Sequence, residues 1–244
     1  MLFGSCFSQN IGDKLNSYKF NVFTNPFGIL YNPKSIYKNL IALIENNTPK
    51  ESDFIKNNGI YYSWNHHGCY SSESKSELKN DINKQFLSAK KKLEKTKFLI
   101  ITFGTSWIYK LLDSEKIVAN CHKIPSDKFE RLRLSTKEII KDYEYLINKL
   151  KEFNPDLKII FTVSPIRHLK DGAHENQLSK SSLLLSIDSL IKEFENCYYF
   201  PSYEIMVDEL RDYRFYDKDM IHPSSIAIDY IWDKFKFGFI SNQC

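Results

Sequence analysis

The stretch "KFLIITFG" (residues 97–104) is a continuous apolar run of strand length that ends in a glycine. A run of this kind is typical of a strand that is buried on both faces, inside a parallel sheet covered by helices. A second such run, "DLKIIFTVSP" (residues 156–165), ends at a proline. The two runs predict neighbouring central strands of a parallel sheet.

Helical patterns alternate with the predicted strands. Shorter strands are expected at residues 1–3 and within "CYYFPSY" (residues 197–203), and "KFNVFTNPFG" (residues 19–28) is expected to be extended chain that leads into a turn. Strands separated by helices pair in parallel through right-handed crossovers. The predicted fold is therefore an α/β three-layer sandwich with a central, mainly parallel sheet, in one domain over residues 1–244. The expected helices cover residues 4–16, 32–47, 73–96, 135–153, about 177–194 and 222–235.

Composition excludes several classes of protein. The 34 basic and 30 acidic residues are spread along the chain, so no basic arm indicates a nucleic-acid partner. No stretch approaches the roughly 20 apolar residues that a membrane span needs. The sequence shows no signal-peptide pattern, so the chain is expected to be cytoplasmic. Its cysteines are odd in number and lack a CxxC spacing, so they are expected to be reduced thiols. These cysteines are Cys6, Cys69, Cys121, Cys197 and Cys244.

In a parallel α/β sheet, functional sites form at the carboxyl ends of the strands. Ser5 directly follows the first strand, and "YDKDMIHPSS" (residues 216–225) places Asp219 three residues before His222. That spacing lets the carboxylate orient the imidazole, and a serine hydroxyl needs such a base to become a nucleophile. A catalytic triad is thus predicted, provided that the two ends of the chain meet.

Each triad member also has a simpler interpretation. Ser5 is suited to cap the helix that follows it, and Cys6 is an alternative nucleophile at the same helix terminus. His222 is alternatively a surface histidine paired with Asp219, which could itself be only a helix cap. The sequence leaves these interpretations open.

Several motifs in order along the chain resemble one family. They are "GSCFSQN", "NPFGILYNP", "SWNHHG", "TFGTSW", "SPIRHLKDGAHENQLSK" and "DMIHPS". Together they are similar to the GSCFA-domain family, which is related to the SGNH (GDSL-like) hydrolases. The resemblance implies a flavodoxin-like three-layer fold and ester hydrolysis or acyl transfer by a triad of Ser5, His222 and Asp219.

The resemblance also implies an oxyanion hole. The amides of Ser5 and Gly28 match two of its donors, but "GTSW" (residues 104–107) stands where related enzymes have GxND. Thr105, Ser106 or a backbone amide is expected to substitute for the missing asparagine, or else Asn25 or Asn65 is recruited. Losing one donor typically lowers the rate by about 10²–10³-fold.

Loops rich in histidine and tryptophan supply the expected substrate-binding residues. Alternatively, the tryptophans are ordinary core aromatics, and "RHLKDGAHEN" (residues 167–176) is a purely structural loop. A third alternative is a metal site in which the histidines of these loops, including His174, act with Asp171 and Glu175, although no zinc-binding spacing is present. No metal and no cofactor are predicted. The expected substrate-binding residues are Asn25, Trp64, His66, His67, Trp107, Arg167 and His168.

Three functions therefore stay open. The first is a serine esterase that acts on an O-acyl ester of a carbohydrate or small metabolite. The second is an acyltransferase, because the residues that form an acyl-enzyme do not determine what releases it. The third is a noncatalytic binding domain that keeps the fold. The sequence does not indicate an oligomeric state.

Overall fold

The computed structural model describes residues 1–240, so Cys244 lies outside the described residues. The strands are β1 (Leu2–Gly4), β2 (Phe54–Asn57), β3 (Ile60–Ser63), β4 (Ser71–Ser72), β5 (Phe98–Phe103), β6 (Trp107–Leu111), β7 (Ile117–Val118), β8 (Phe129–Arg133), β9 (Lys158–Val163) and β10 (Cys197–Phe200). The helices are α1 (Cys6–Ser17), α2 (Pro33–Glu45), α3 (Lys75–Leu93), α4 (Thr136–Phe153), α5 (Gly172–Glu193), α6 (Ser202–Glu204), which continues as a π-helical turn over Ile205–Leu210, and α7 (Ser225–Phe239).

The central sheet is parallel and has the strand order β1-β5-β9-β10. The two apolar runs form its middle strands, with Ile100 of β5 opposite Leu2 on one side and Ile160 on the other. The extended segment over residues 19–28 pairs with the outer side of β1 through a single bridge between Thr24 and Leu2. The predicted parallel sheet is confirmed.

Helices cover both faces of this sheet. Alternate side chains of β5 point to opposite sides, as the two-residue period of a strand requires. Leu99, Ile101 and Phe103 pack in one core with helices α2 to α5, whereas Ile100 packs in a second core with α1 and α7. The three-layer α/β/α sandwich is therefore confirmed.

Local signals fix the helix starts. A capping box of Ser135 and Glu138 opens α4, and Ser224 caps α7. The prediction that α5 begins at about Gln177 is wrong by five residues. The helix begins at Gly172, whose φ of 77° turns the chain directly from a short 3-10 turn into the helix.

Two small antiparallel sheets stand beside the sandwich and were not predicted from the sequence. One has the order β2-β3-β4 and the other β7-β6-β8. The second belongs to an excursion of the chain over residues 107–133, between β5 and α4. The amide of Leu134 donates to the carbonyl of Ser106 at 2.9 Å, so the excursion leaves and returns at the same point.

No helix within residues 1–240 is both long and apolar enough to cross a bilayer. Four cysteines in this range are free thiols, of which Cys197 is buried and Cys69 is exposed.

Candidate active site

A cavity of about 320 Å³ opens at the carboxyl ends of β1 and β5. The chain passes from β1 to the segment around Thr24 on one side and reaches β5 on the other, so this is the switch point at which α/β sheets bind ligands. Residues from both ends of the chain meet here. The cavity is bordered by Ser5, Cys6, Tyr31, Asn32, Thr105, Trp107, Tyr109, Val118, Ala119, Arg131, Ile166, Arg167, His168, Lys170, Asp171, Ile221 and His222.

Ser5 occupies the tight turn between β1 and α1. It is the N-cap of α1, where its Oγ accepts a hydrogen bond from the Phe7 amide at 3.3 Å. Gly4 precedes it with a φ of 140°, and a Cβ at that position would lie 2.2 Å from the Thr102 carbonyl oxygen. Only glycine allows this close approach, which brings Ser5 against the end of β5.

His222 and Asp219 form the pair that their spacing predicts. The imidazole Nδ1 lies 2.6 Å from Asp219 Oδ2, and the amides of His222 and Ile221 both donate to Oδ1 at 2.9 Å. The bonds from the His222 amide, the His222 ring and the Ile221 amide lower the pKa of Asp219 to about 2. A carboxylate that accepts from Nδ1–H leaves Nε2 as a proton acceptor.

Ser5 and His222 border the same cavity, so the two chain ends do meet. Within residues 1–240 no direct hydrogen bond joins the Ser5 hydroxyl to the His222 ring. The serine is thus a helix cap and a cavity residue at once, and the two interpretations of Ser5 are compatible.

The expected oxyanion donors are largely engaged elsewhere. The Gly28 amide donates to the Asn25 carbonyl at 2.8 Å, and Gly28 does not border the cavity. Thr105 does border it, but its amide donates to the Tyr31 carbonyl at 3.0 Å. The bond from the Ser5 amide to the Thr102 carbonyl is long, at 3.4 Å.

The alternative donors are also held outside the cavity. Ser106 is fully buried, and its amide and hydroxyl bond to Ser179 Oγ at 2.8 and 3.1 Å. Asn25 accepts from the Gly4 amide at 2.9 Å, and its buried Nδ2 has no partner within residues 1–240. The Asn65 carbonyl accepts a bond from Asn39.

Three of the expected substrate-binding residues border the cavity: Trp107, Arg167 and His168. Burial, reinforced by the charge of Lys180, lowers the pKa of His168 to about 4. His168 is therefore neutral at pH 7. The guanidinium carbon of Arg167 lies 3.9 Å from the centroid of the Tyr216 ring.

The "SWNHHG" block lies elsewhere. Trp64 packs in a small core with Phe129, and the His66 ring is buried, with Nδ1 2.7 Å from Ser63 Oγ. Burial lowers the pKa of His66 to about 3. His67 packs against Gly28. The structure does not bring these three expected substrate residues to the cavity. In the described part of the chain, no group of three or more His, Cys, Asp or Glu side chains is arranged to hold a metal ion.

Sequence reasoning missed much of the cavity wall. Arg131 stacks on Trp107, with its guanidinium carbon 4.3 Å from the ring centroid, and pairs with Asp171. Asn32 borders the cavity at the start of α2. Arg131 belongs to no quoted motif. Asn32 lies within "NPFGILYNP", and its place before Pro33 is a helix-capping signal that could have identified it.

Helix α5 fixes the loops that form the cavity floor. Lys180 Nζ donates to the carbonyls of Gly104 and Ser164, at 2.7 Å each, and burial lowers the pKa of Lys180 to about 7. One turn earlier, Asn176 accepts a bond from the His168 amide at 3.0 Å. The helix therefore ties together the segments that follow β5 and β9.

Comparison with known proteins identifies a family. A search of the curated proteins finds no match to this chain. The GSCFA family model matches residues 1–235, which is nearly the whole chain. The protein belongs to the GSCFA family.

Proposed function

We propose that this protein is a serine hydrolase that cleaves esters through an acyl-enzyme. One observation carries the proposal: Ser5, from the start of the chain, and His222, from near its end, border one cavity at the switch point of the sheet, and His222 is paired with Asp219. A nucleophile, a base and a group that orients the base are the parts that this chemistry needs.

Ser5 Oγ attacks the ester carbonyl as His222 Nε2 takes the hydroxyl proton, and Asp219 stabilises the imidazolium. The carbon–oxygen bond to the alcohol breaks, and His222 returns the proton to the leaving oxygen. The acyl group is then on Ser5. Water attacks it with His222 again as base, which releases the acid and restores the serine.

Two donors are suited to the oxyanion, and one of them is Asn32. Its Oδ1 caps α2 by accepting from the Ser35 amide at 2.8 Å, which fixes the side-chain amide, and its Nδ2 has no hydrogen-bond partner within residues 1–240. The preceding carbonyl, of Tyr31, is held by the amides of Gly104 and Thr105. The Ser5 amide, with its long bond to Thr102, is the second donor.

The substrate is best described as an O-acyl ester of a carbohydrate or small metabolite. Tyr31, Trp107 and Tyr109 give the cavity an aromatic wall suited to a ring. The scattered cysteines favour a reducing compartment, and we place the reaction in the cytoplasm.

The first experiment combines labelling with a fluorophosphonate probe and hydrolysis of 4-nitrophenyl acetate. We expect Ser5→Ala to abolish labelling and to lower kcat by at least about 10³-fold, because it removes the nucleophile. Ser17→Ala, at the exposed end of α1, is the matched control and should behave as wild type. Equal rates in Ser5→Ala and wild type, without labelling, would favour a noncatalytic binding domain. Labelling without hydrolysis would favour acyl transfer to an alcohol.

A further inference from the structure

The wall of the cavity carries more positive than negative side chains. Arg131, Arg167 and Lys170 border it, and Asp171 is the carboxylate among its lining residues. Asp171 is bonded to Arg131, so those two charges offset each other. In the described part of the chain, neither Arg167 nor Lys170 has a carboxylate oxygen within 4.0 Å.

Arg167 is held in place without being neutralised. Its guanidinium carbon lies 3.9 Å from the centroid of the Tyr216 ring and 5.3 Å from that of Tyr213. Stacking of this kind fixes the plane of the guanidinium and leaves its N–H groups for a partner in that plane. A planar fork of donors matches the two oxygens of a carboxylate or a phosphate.

The surroundings add to the positive potential. Lys180 lies beneath the cavity floor, bonded to two backbone carbonyls, and with a pKa of about 7 it is charged in about half of the molecules at pH 7. The amino terminus of α1, which begins at Cys6, also points its partial positive charge toward the cavity. His168 is neutral at pH 7 and does not offset these charges.

The position of Arg167 indicates which half of an ester it would contact. Its amide donates to the carbonyl of Ile221 at 3.3 Å, which places it beside His222. His222 delivers the proton to the leaving oxygen in the proposed reaction. The alcohol portion of the ester therefore lies on the side of Arg167.

We propose that the substrate is an ester whose alcohol portion carries an anionic group, a carboxylate or a phosphate, bound by Arg167 with help from Lys170. This inference rests on the proposed function, because the side of the cavity is assigned from the role of His222.

The test compares three acetyl esters that differ in the charge on the alcohol. They are 4-acetoxybenzoate, 4-acetoxyphenyl phosphate and the neutral methyl 4-acetoxybenzoate. The enzymatic rate for each ester is divided by the rate at which hydroxide hydrolyses the same ester, which corrects for differences in intrinsic reactivity. We expect the KM of at least one anionic ester to be 10-fold or more below that of the neutral ester. The better of the two anions distinguishes a carboxylate from a phosphate.

Variants assign the preference to residues. Arg167→Gln should raise the KM for the preferred anion at least 10-fold and leave the neutral ester within about 2-fold, and Lys170→Met should have a smaller effect in the same direction. Lys192→Met, an exposed lysine paired with Asp188, is the matched control and should change nothing. The products 4-hydroxybenzoate and 4-hydroxyphenyl phosphate give the same comparison by calorimetric binding, without turnover.

Equal KM values for charged and neutral esters, or an equal loss on both in Arg167→Gln, would overturn the inference. A preference for a charge on the acyl side instead, tested with the 4-nitrophenyl monoester of glutaric acid, would also overturn it. If Ser5→Ala hydrolyses every ester as wild type does, the proposed function fails. In that case, the calorimetric binding of the two anionic products to wild type and Arg167→Gln still tests whether Arg167 binds an anion.

Discussion

Asn32 uses the two ends of one amide for two tasks. The oxygen caps α2, and in the proposed mechanism the nitrogen donates to the oxyanion. Aspartate is as good an N-cap as asparagine but has no N–H groups. We expect Asn32→Asp to keep the stability within about 0.5 kcal/mol and to lower kcat by about 10²–10³-fold. Urea unfolding and the rate with 4-nitrophenyl acetate measure the two effects.

The control for the capping effect is Ser135→Ala, at the start of α4. It should cost about 1 kcal/mol of stability and leave kcat unchanged. A stable Asn32→Asp protein with full kcat would show that the donor lies elsewhere.

At the same scale, the sequence identified the residues that sit in short motifs at strand ends. The structure places Ser5, His222 and Arg167 at the cavity, as expected for segments that directly follow strands or precede the last helix. Trp64 and His66 looked equally suitable, but they lie in the loop between β3 and β4, and the position of that small sheet depends on long-range pairing. A motif also does not show whether an amide is already engaged, and that information comes only from the fold.

Among the elements, α5 supports the loops of the site from behind, through Lys180. Burial lowers the pKa of this lysine to about 7, against about 10.4 in an unfolded chain. Between these values the unfolded state binds more protons than the folded state. Stability should therefore rise with pH, by up to about 1.4 kcal/mol per pH unit from this group.

We expect Lys180→Met to remove that rise. The measurement is urea unfolding of wild type and variant at pH 7, 8 and 9, and the free-energy difference between them should grow with pH in favour of wild type. Taking the difference cancels groups that titrate in both proteins. The stability of Lys192→Met, on the same helix, should change with pH as that of wild type does. If the stability of Lys180→Met also changed with pH as that of wild type does, a lowered pKa of buried Lys180 would be contradicted.

The elements that the sequence predicted well are those with strong local signals. The apolar runs of β5 and β9 and the capping box of α4 need no distant partner to be recognised. The strands of the two small sheets are 2–5 residues long. Their pairing is set by contacts outside each strand, so periodicity alone does not reveal them.

On the scale of the whole molecule, two cores share one sheet. Ile147 of α4 packs on one face and Ile231 of α7 on the other, and both are fully buried. Because the strands between them contribute side chains to both cores, we expect the layers to unfold together. Unfolding of all layers in one transition would also support the expectation of one domain over residues 1–244.

Ile147→Val and Ile231→Val should each lower the free energy of unfolding by about 0.5–1.5 kcal/mol. The double variant should lose nearly the sum, since the two sites lie on opposite faces of the sheet. Tryptophan fluorescence and far-UV circular dichroism should report one coincident urea transition in all four proteins. Separate transitions, or a shift in only one probe, would indicate layers that unfold independently.

The excursion over residues 107–133 holds Trp107, Tyr109 and Arg131, but neither Ser5 nor His222. Its two ends are joined by the bond between Leu134 and Ser106, so the chain enters and leaves it at one point beyond the end of β5. The aromatic part of the cavity wall is thus encoded apart from Ser5 and His222, whereas Arg167 and Lys170 lie outside this excursion. Changes of sequence confined to this excursion would therefore let a descendant protein reshape the aromatic part of the cavity wall while Ser5 and His222 keep their places.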